Sequence, residues 1–182
     1  MKHIKTYQLF EGMFHEDRAL KPYEKIMANA VVEFFKKKSN VDGQIIVKHK
    51  PSDKYIGDIR LNDTTVNKNK FIVFFDKEQG TRMAIKALFH ELTHVKQVNK
   101  KELLPNDDYT AIDWNGKEFI TVKDYNKVLK KAQHDPKEYN SLPWEKEAID
   151  SSDDLLNDFI GSPEWTAMKG KDKTLDAIID NI

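Results

Sequence analysis

The sequence predicts an α+β fold: a small, mostly antiparallel sheet, one long enclosed helix and a second strong helix. Three observations carry this. Thr81 to Asn99 and Trp144 to Ile160 repeat their apolar residues with the 3.6-residue period of helices. Short β-rich runs, Gln44–His49, Tyr55–Leu61 and Lys70–Asp76, precede the first of these. Within Tyr109–Val122, the stretch Trp114-Asn115-Gly116-Lys117 carries an Asn-Gly turn signal and reads as a hairpin.

Composition sets the outer limits. The chain has 182 residues, the size of one domain with room for a small appendage. Hydrophobic residues are 39% and charged residues 33%, which supports a core and argues against disorder. Lys+Arg and Asp+Glu are both 30, so no overall charge points to nucleic acid or an anionic membrane. No apolar run approaches the roughly 18 residues of a membrane span. The start, MKHIKTYQLFEGMFHEDR, lacks the apolar stretch and small-residue cleavage site of a secretory signal, so a cytoplasmic location is expected. There is no cysteine, which excludes disulfides, thiolate metal sites and a cysteine nucleophile. Any metal must be held by His, Asp or Glu.

Charge is unevenly spread. Lys36 to Lys101 carries 15 Lys+Arg against 7 Asp+Glu, whereas Glu145 to Ile182 carries 4 against 10. Either these two segments lie against each other in the fold, or the acidic end is a surface for a basic partner.

Taken in order, residues 1–20 read as a weakly patterned N-terminal arm, 21–160 as the main domain and 161–182 as a helical appendage. Lys21–Lys38 is a helix with Pro22 in its first turn and Ile26, Ala30, Val31 and Phe34 on one stripe. The run Phe71 to Phe75 is apolar throughout, as a strand covered on both faces would be. In the helix from Thr81 to Asn99, Ile85, Leu88, Phe89, Leu92 and Val95 form a broad apolar face, with Met83, Ala87, His90, His94 and Val98 roughly opposite. Arg82, Lys86, Thr93 and Gln97 are squeezed into a narrow polar sector, so this helix is mostly enclosed. Asp124–Gln133 is a short helix, His134–Pro143 a polar loop, and Trp144–Ile160 a helix entered through Ser141 and Pro143 and closed by Gly161. One or two small helices follow Ser162 and Pro163.

The chemistry sits in His90-Glu91-Leu92-Thr93-His94, an HExxH pattern. Residues four apart lie one helical turn from each other on the same face, so both imidazoles can converge on one tetrahedral ion. Glu91 is rotated about 100° from His90 and is free to act on a water as general base instead of binding the metal. Two histidines under-coordinate an ion, and a hydrolytic site has three protein ligands and one open position. No Gly stands three residues after His94 and no His follows in the HExxHxxGxxH spacing. The third ligand must be His134 or a carboxylate of a second helix, and Glu145 and Glu147 are the carboxylates on offer. Two apart in a helix, they point about 200° from each other, so only one can face the metal. The neighbours Ala148, Ser151 and Leu155 favour Glu147, while Glu145 shares a stripe with Ile149, Ser152 and Leu156.

An HExxH helix followed some fifty residues later by a Glu on a second helix resembles the gluzincin-type zinc metallopeptidases. The wording HELTHVKQ, WNGKEF and LPWEKEA over residues 70–150 looks most like their small single-domain, minigluzincin-like members of bacterial or phage type. The resemblance implies that the sheet packs on an active-site helix, with an edge strand able to pair with an extended peptide, and that the second helix supplies the third metal ligand. It implies Zn2+ held by His90, His94 and Glu147, and Glu91 as general base. Tyr139, His134 and Tyr125 are the candidates for the transition-state-stabilising donor. Asp150, Asp153 and Asp154 are candidates to orient the ligand histidines, because a ligating imidazole usually donates its other N–H. The expected function is zinc-dependent hydrolysis of peptide or protein substrates. The alternative is a catalytically inactive zinc-binding or regulatory module on a peptidase scaffold. A nucleic-acid partner is the weakest reading, since no aromatic-basic motif accompanies the zero net charge.

Overall fold

The computed structural model describes residues 20–49, 57–61, 70–75, 81–106, 110–132 and 134–180. Of the predicted N-terminal arm, residues 1–19 lie outside the described residues, as do Tyr55, Ile56, Asp76, Tyr109 and Gln133 at the edges of predicted elements. The chain runs α1 (Pro22–Ser39), β1 (Gln44–His49), β2 (Gly57–Leu61), β3 (Lys70–Phe75) and α2 (Thr81–Asn99). It continues through β4 (Leu103–Pro105), β5 (Ala111–Trp114), β6 (Lys117–Thr121), α3 (Val122–Ala132) and α4 (Lys137–Asn140). The last elements are α5 (Pro143–Phe159), α6 (Pro163–Thr166) and α7 (Lys173–Ile179).

The α+β class is as predicted, but the strands divide into two three-stranded sheets. In the first, the apolar strand β3 is central, parallel to β1 and antiparallel to β2. This sheet packs on α2 through β2 and β3. In the second, β4, β5 and β6 form an antiparallel meander. Among the described residues, three of the four strand pairings are therefore antiparallel. The β5–β6 turn falls on Asn115 and Gly116, both in the left-handed region at φ 53° and 75°. That is what a two-residue type I′ hairpin turn requires of its central pair.

Helix α1 starts at Pro22, and the Glu24 carboxylate accepts the backbone N–H of Lys21 at 2.7 Å. Its buried face is Met27, Ala28, Val31, Phe34 and Phe35, rotated from the expected stripe, so that Ile26 and Ala30 are half-buried. Phe34 meets Phe89 of α2 at 5.9 Å between ring centroids and Phe159 of α5 at 5.3 Å, and Phe89 lies 5.6 Å from Phe159. These three rings tie α1, α2 and α5 into one core. Trp165, Met168, Leu175 and Ile179 of the C-terminal segment are buried in the same cluster. Ser162 caps α6 by accepting the Trp165 N–H at 3.1 Å, as predicted for an N-cap serine.

A second core gathers Leu103, Ile112, Tyr125, Val128, Leu142 and Trp144 from the meander, α3 and the start of α5. Helices α2 and α5 share the most extensive packing between helices in the fold. The uneven charge resolves as juxtaposition: Lys37 pairs with Glu164, Lys38 with Asp158, Lys86 with Asp153 and Lys96 with Glu147. Among the described residues no helix is long and apolar enough to cross a membrane.

Candidate metal centre

Helix α2 is enclosed, as its narrow polar sector predicted, and Leu88, Phe89, Leu92 and Val95 are fully buried. The enclosure reaches into that polar sector. Thr93 is buried and donates its hydroxyl to the Phe89 carbonyl at 2.9 Å, and Gln97 is wholly inaccessible. From this helix His90 and His94 project together, their rings 4.9 Å apart and nearly perpendicular.

The partner across the site is Glu145, not Glu147. Glu145 Oε2 lies 3.3 Å from His90 Nε2 and 3.5 Å from His94 Nε2, and the two Nε2 atoms are 3.2 Å apart. Glu147 turns instead to Lys96 and to the Gln97 amide, which donates to its Oε2 at 3.0 Å. The reason is the rotation of α5. Trp144 is buried in the second core, with Phe119 at 5.5 Å and Trp114 and Tyr125 each at 6.1 Å. Ala148, Ser152, Leu155, Leu156 and Phe159 are all buried along the rest of the helix. Glu145 belongs to this stripe, at i−3 from Ala148 and i−7 from Ser152, whereas Glu147 lies about 100° from Ala148 on its edge. The sequence contained that signal. An unbroken i, i+3, i+7 path from Glu145 through Ala148 and Ser152 to Leu156 and Phe159 outweighs mere adjacency to Ala148.

The three donor atoms form a nearly equilateral triangle. Ligands about 2.0–2.1 Å from a tetrahedral ion stand about 3.3 Å apart, which matches the 3.2, 3.3 and 3.5 Å edges seen here. His90, His94 and Glu145 can therefore hold a metal ion, and the set is compatible with zinc. His94 and Glu145 are closed off, at 2% and 1% side-chain exposure, while His90 retains 23%. The site is open on the His90 side alone of its three ligands.

Electrostatics favour the ligand state of the carboxylate. Burial by itself would raise the Glu145 carboxyl, but the charge and hydrogen bonds of His94 and His90 bring it down to about 2. Burial likewise opposes a charged His94, yet the Glu145 carboxylate outweighs it and raises the imidazole above its usual value. The pairing favours a protonated imidazole, so at low pH a proton competes with a cation for the space between these groups.

Glu145 and His94 each have support. The Tyr139 hydroxyl donates to Glu145 Oε1 at 2.7 Å and so leaves Oε2 to face the histidines. Burial, then the charge of Glu145, keeps that phenol well above its usual pKa, so it stays a donor. His94 Nδ1 meets Gln97 Oε1 at 2.8 Å. The aspartates expected to orient the histidines do otherwise: Asp150 pairs with Lys146, Asp153 with Lys86, and Asp154 is exposed. Of the expected stabilising donors, Tyr139 is at the site but on a ligand. Tyr125 is part of the second core, and His134 is exposed in the turn after α3. Glu91 is buried, at 8% exposure, and adds a small upward push to the Tyr139 phenol.

No protein-family model, curated protein or solved structure matches the chain.

Proposed function

We propose that the chain is a zinc-dependent peptidase whose site is His90, His94 and Glu145, with Glu91 as general base. The observation that supports this best is the convergence of the three donor atoms at tetrahedral spacing, with a buried glutamate next in the chain to the most exposed ligand. A bound zinc ion would polarise a substrate carbonyl and lower the pKa of a water towards about 7.

The chain's own residues do the rest. His90 and His94 present their Nε2 atoms from one face of a rigid helix, so no loop ordering is needed to assemble the site. Glu145 contributes one negative charge, held to a single facing oxygen by Tyr139. Glu91 takes the proton of the attacking water and passes it to the leaving amine. The partly exposed edge of His90 is where an extended peptide approaches, because the opposite wall is closed by α5.

The variant Glu91→Gln tests this reading. Wild type and variant should each bind one zinc per chain, and the variant should lose hydrolysis of a peptide panel by at least about 100-fold, the usual size of a general-base contribution. Undiminished hydrolysis in that variant would sink the mechanism.

A second reading, a zinc-binding or regulatory module without turnover, is favoured by one observation. The Tyr139 hydroxyl is engaged by Glu145 and His134 lies in an exposed turn, so neither is placed as the extra donor for a developing oxyanion. That reading expects bound zinc, a drop in stability on chelation, and no cleavage across the panel.

A further inference from the structure

None of the aspartates offered by the sequence is placed to orient His94; Gln97 faces its ring instead, and the surroundings of Gln97 dictate how it acts. Gln97 is completely buried one turn after His94, between α2 and the first turn of α5. A carboxamide offers one acceptor and two N–H donors, and which end faces which neighbour is read from the network. On one side of Gln97 lie two pure acceptors. Its Nε2 is 3.0 Å from the Trp144 carbonyl and 3.0 Å from Glu147 Oε2. Neither of these oxygens can donate, so both amide protons are claimed there. The other end, Oε1, is left to face His94 Nδ1 at 2.8 Å and can only accept. Nδ1 must then carry the proton, and a neutral His94 has its lone pair on Nε2, the atom aimed at His90 and Glu145.

We infer that Gln97 is a positioning residue that locks His94 in its Nδ1–H tautomer, and that Glu147 and the Trp144 carbonyl set the polarity of that lock. Glu147, offered by the sequence as a ligand, thereby acts on the site from outside it. Its carboxylate is held in turn by Lys96, so the chain Lys96, Glu147, Gln97, His94 runs from the surface to the ligand atom. The arrangement adds no negative charge against the imidazole itself. It differs in this from a carboxylate placed directly on the ring, which would make the ligand more basic. Because Trp144 O is one of the anchors, the same amide pins α5 to α2 beside Glu145, so ring orientation and the position of the third ligand are joined through one side chain.

This inference deepens the metal-centre reading and uses its ligands, and its test separates the two. The first measurement is made on metal-free protein at pH 9, with ring-labelled histidine and long-range proton–nitrogen spectra that distinguish a protonated ring nitrogen from a bare one. Wild type should show His94 protonated on Nδ1. In Gln97→Met, similar in length and without hydrogen-bonding groups, that preference should be lost, and Glu147→Ala should weaken it. A wild-type His94 protonated on Nε2, or an unchanged Nδ1–H tautomer in Gln97→Met, would overturn the inference whether or not metal binds.

The second measurement is zinc affinity by competition with a chelator. Gln97→Met should bind about 10–100-fold more weakly than wild type, with Glu147→Ala between the two. Circular dichroism of the metal-free variants checks that the helices remain. Should Gln97→Met fail to fold, Glu147→Ala carries both measurements, and a wild-type tautomer preference together with wild-type zinc affinity in that variant would overturn the inference. A wild type that binds no zinc would remove the metal reading, while the tautomer measurement would still decide the role of Gln97.

Discussion

Helices α2 and α5 both build the site, and they do so by different physics. Helix α2 contributes two ligands, and their relation to each other is settled within one turn of backbone: residues 90 and 94 face the same way in any α-helix. Helix α5 contributes one ligand, and no single turn of its backbone decides which residue that is. Trp144 is held in the second core and Phe159 in the first, so the helix is gripped at both ends, and its rotation between these grips brings Glu145 rather than Glu147 to the histidines. The comparison teaches that a motif within a helix can be read from spacing, whereas the residue completing it across an interface follows from burial of a whole stripe.

The largest effect should come from exchanging the two glutamates. Glu145→Ala is expected to lose its metal on dialysis, because it removes a ligand and strips two imidazoles of their counter-charge. Glu147→Ala should still retain metal under the same conditions. Elemental mass spectrometry of both dialysed variants checks this, and the reverse order would return the third ligand to Glu147 and break the comparison. A second experiment loosens one grip on α5. Phe159→Ala deletes a fully buried ring packed in tilted and edge-to-face contacts with Phe34, Phe89 and Trp165, and should cost about 3–5 kcal/mol in chemical denaturation. Zinc affinity should fall with it if α5 must be held at both ends. Stability loss with unchanged affinity would show that Trp144 alone sets the rotation.

The smallest predicted effect concerns the proton that joins the helices when metal is absent. His94 is raised above its usual value, so its contribution is fully present below about pH 6.5 and is lost as pH rises through the folded value. Glu145 is lowered from 4.5 to about 2, so its contribution is present above about pH 4.5 and is lost as pH falls towards 2. The metal-free pairing is thus strongest between about pH 4.5 and 6.5. The thermal midpoint of chelated wild type should exceed that of chelated Glu145→Gln most at pH 6, and the gap should narrow at pH 9. Each 1 kcal/mol lost moves the midpoint by about 2–4 °C in a domain of this size. A gap that widens with pH would contradict the His94–Glu145 pairing.

Much of the framework was legible because its causes are local. The Asn115-Gly116 hairpin, the Pro22 and Pro143 helix starts, and the enclosure of α2 follow from turn chemistry, proline's fixed φ and a narrow polar sector. The misread parts share a different cause. The buried face of α1 is shifted by one position because the partner rings Phe89 and Phe159, not the helix's own pattern, select it. Gln97 was read as part of a polar sector, although that sector is covered by the first turn of α5. Asp150 and Asp153 were near the ligand in sequence but on the face that meets lysines.

By itself, then, the sequence determined the α+β class, the helix that bears His90, Glu91 and His94, and the convergence of two imidazoles on one face, since 3.6 residues per turn leaves no alternative. Tertiary structure alone decided the division into two sheets, the choice of Glu145, and the conversion of Glu147 from candidate ligand to anchor of Gln97. Those outcomes depend on how far α5 is rotated against α2. That angle is set by two separate cores acting on its ends; the stripe from Glu145 to Phe159 marks the buried face, but contacts that span the chain are what select it over the edge that holds Glu147.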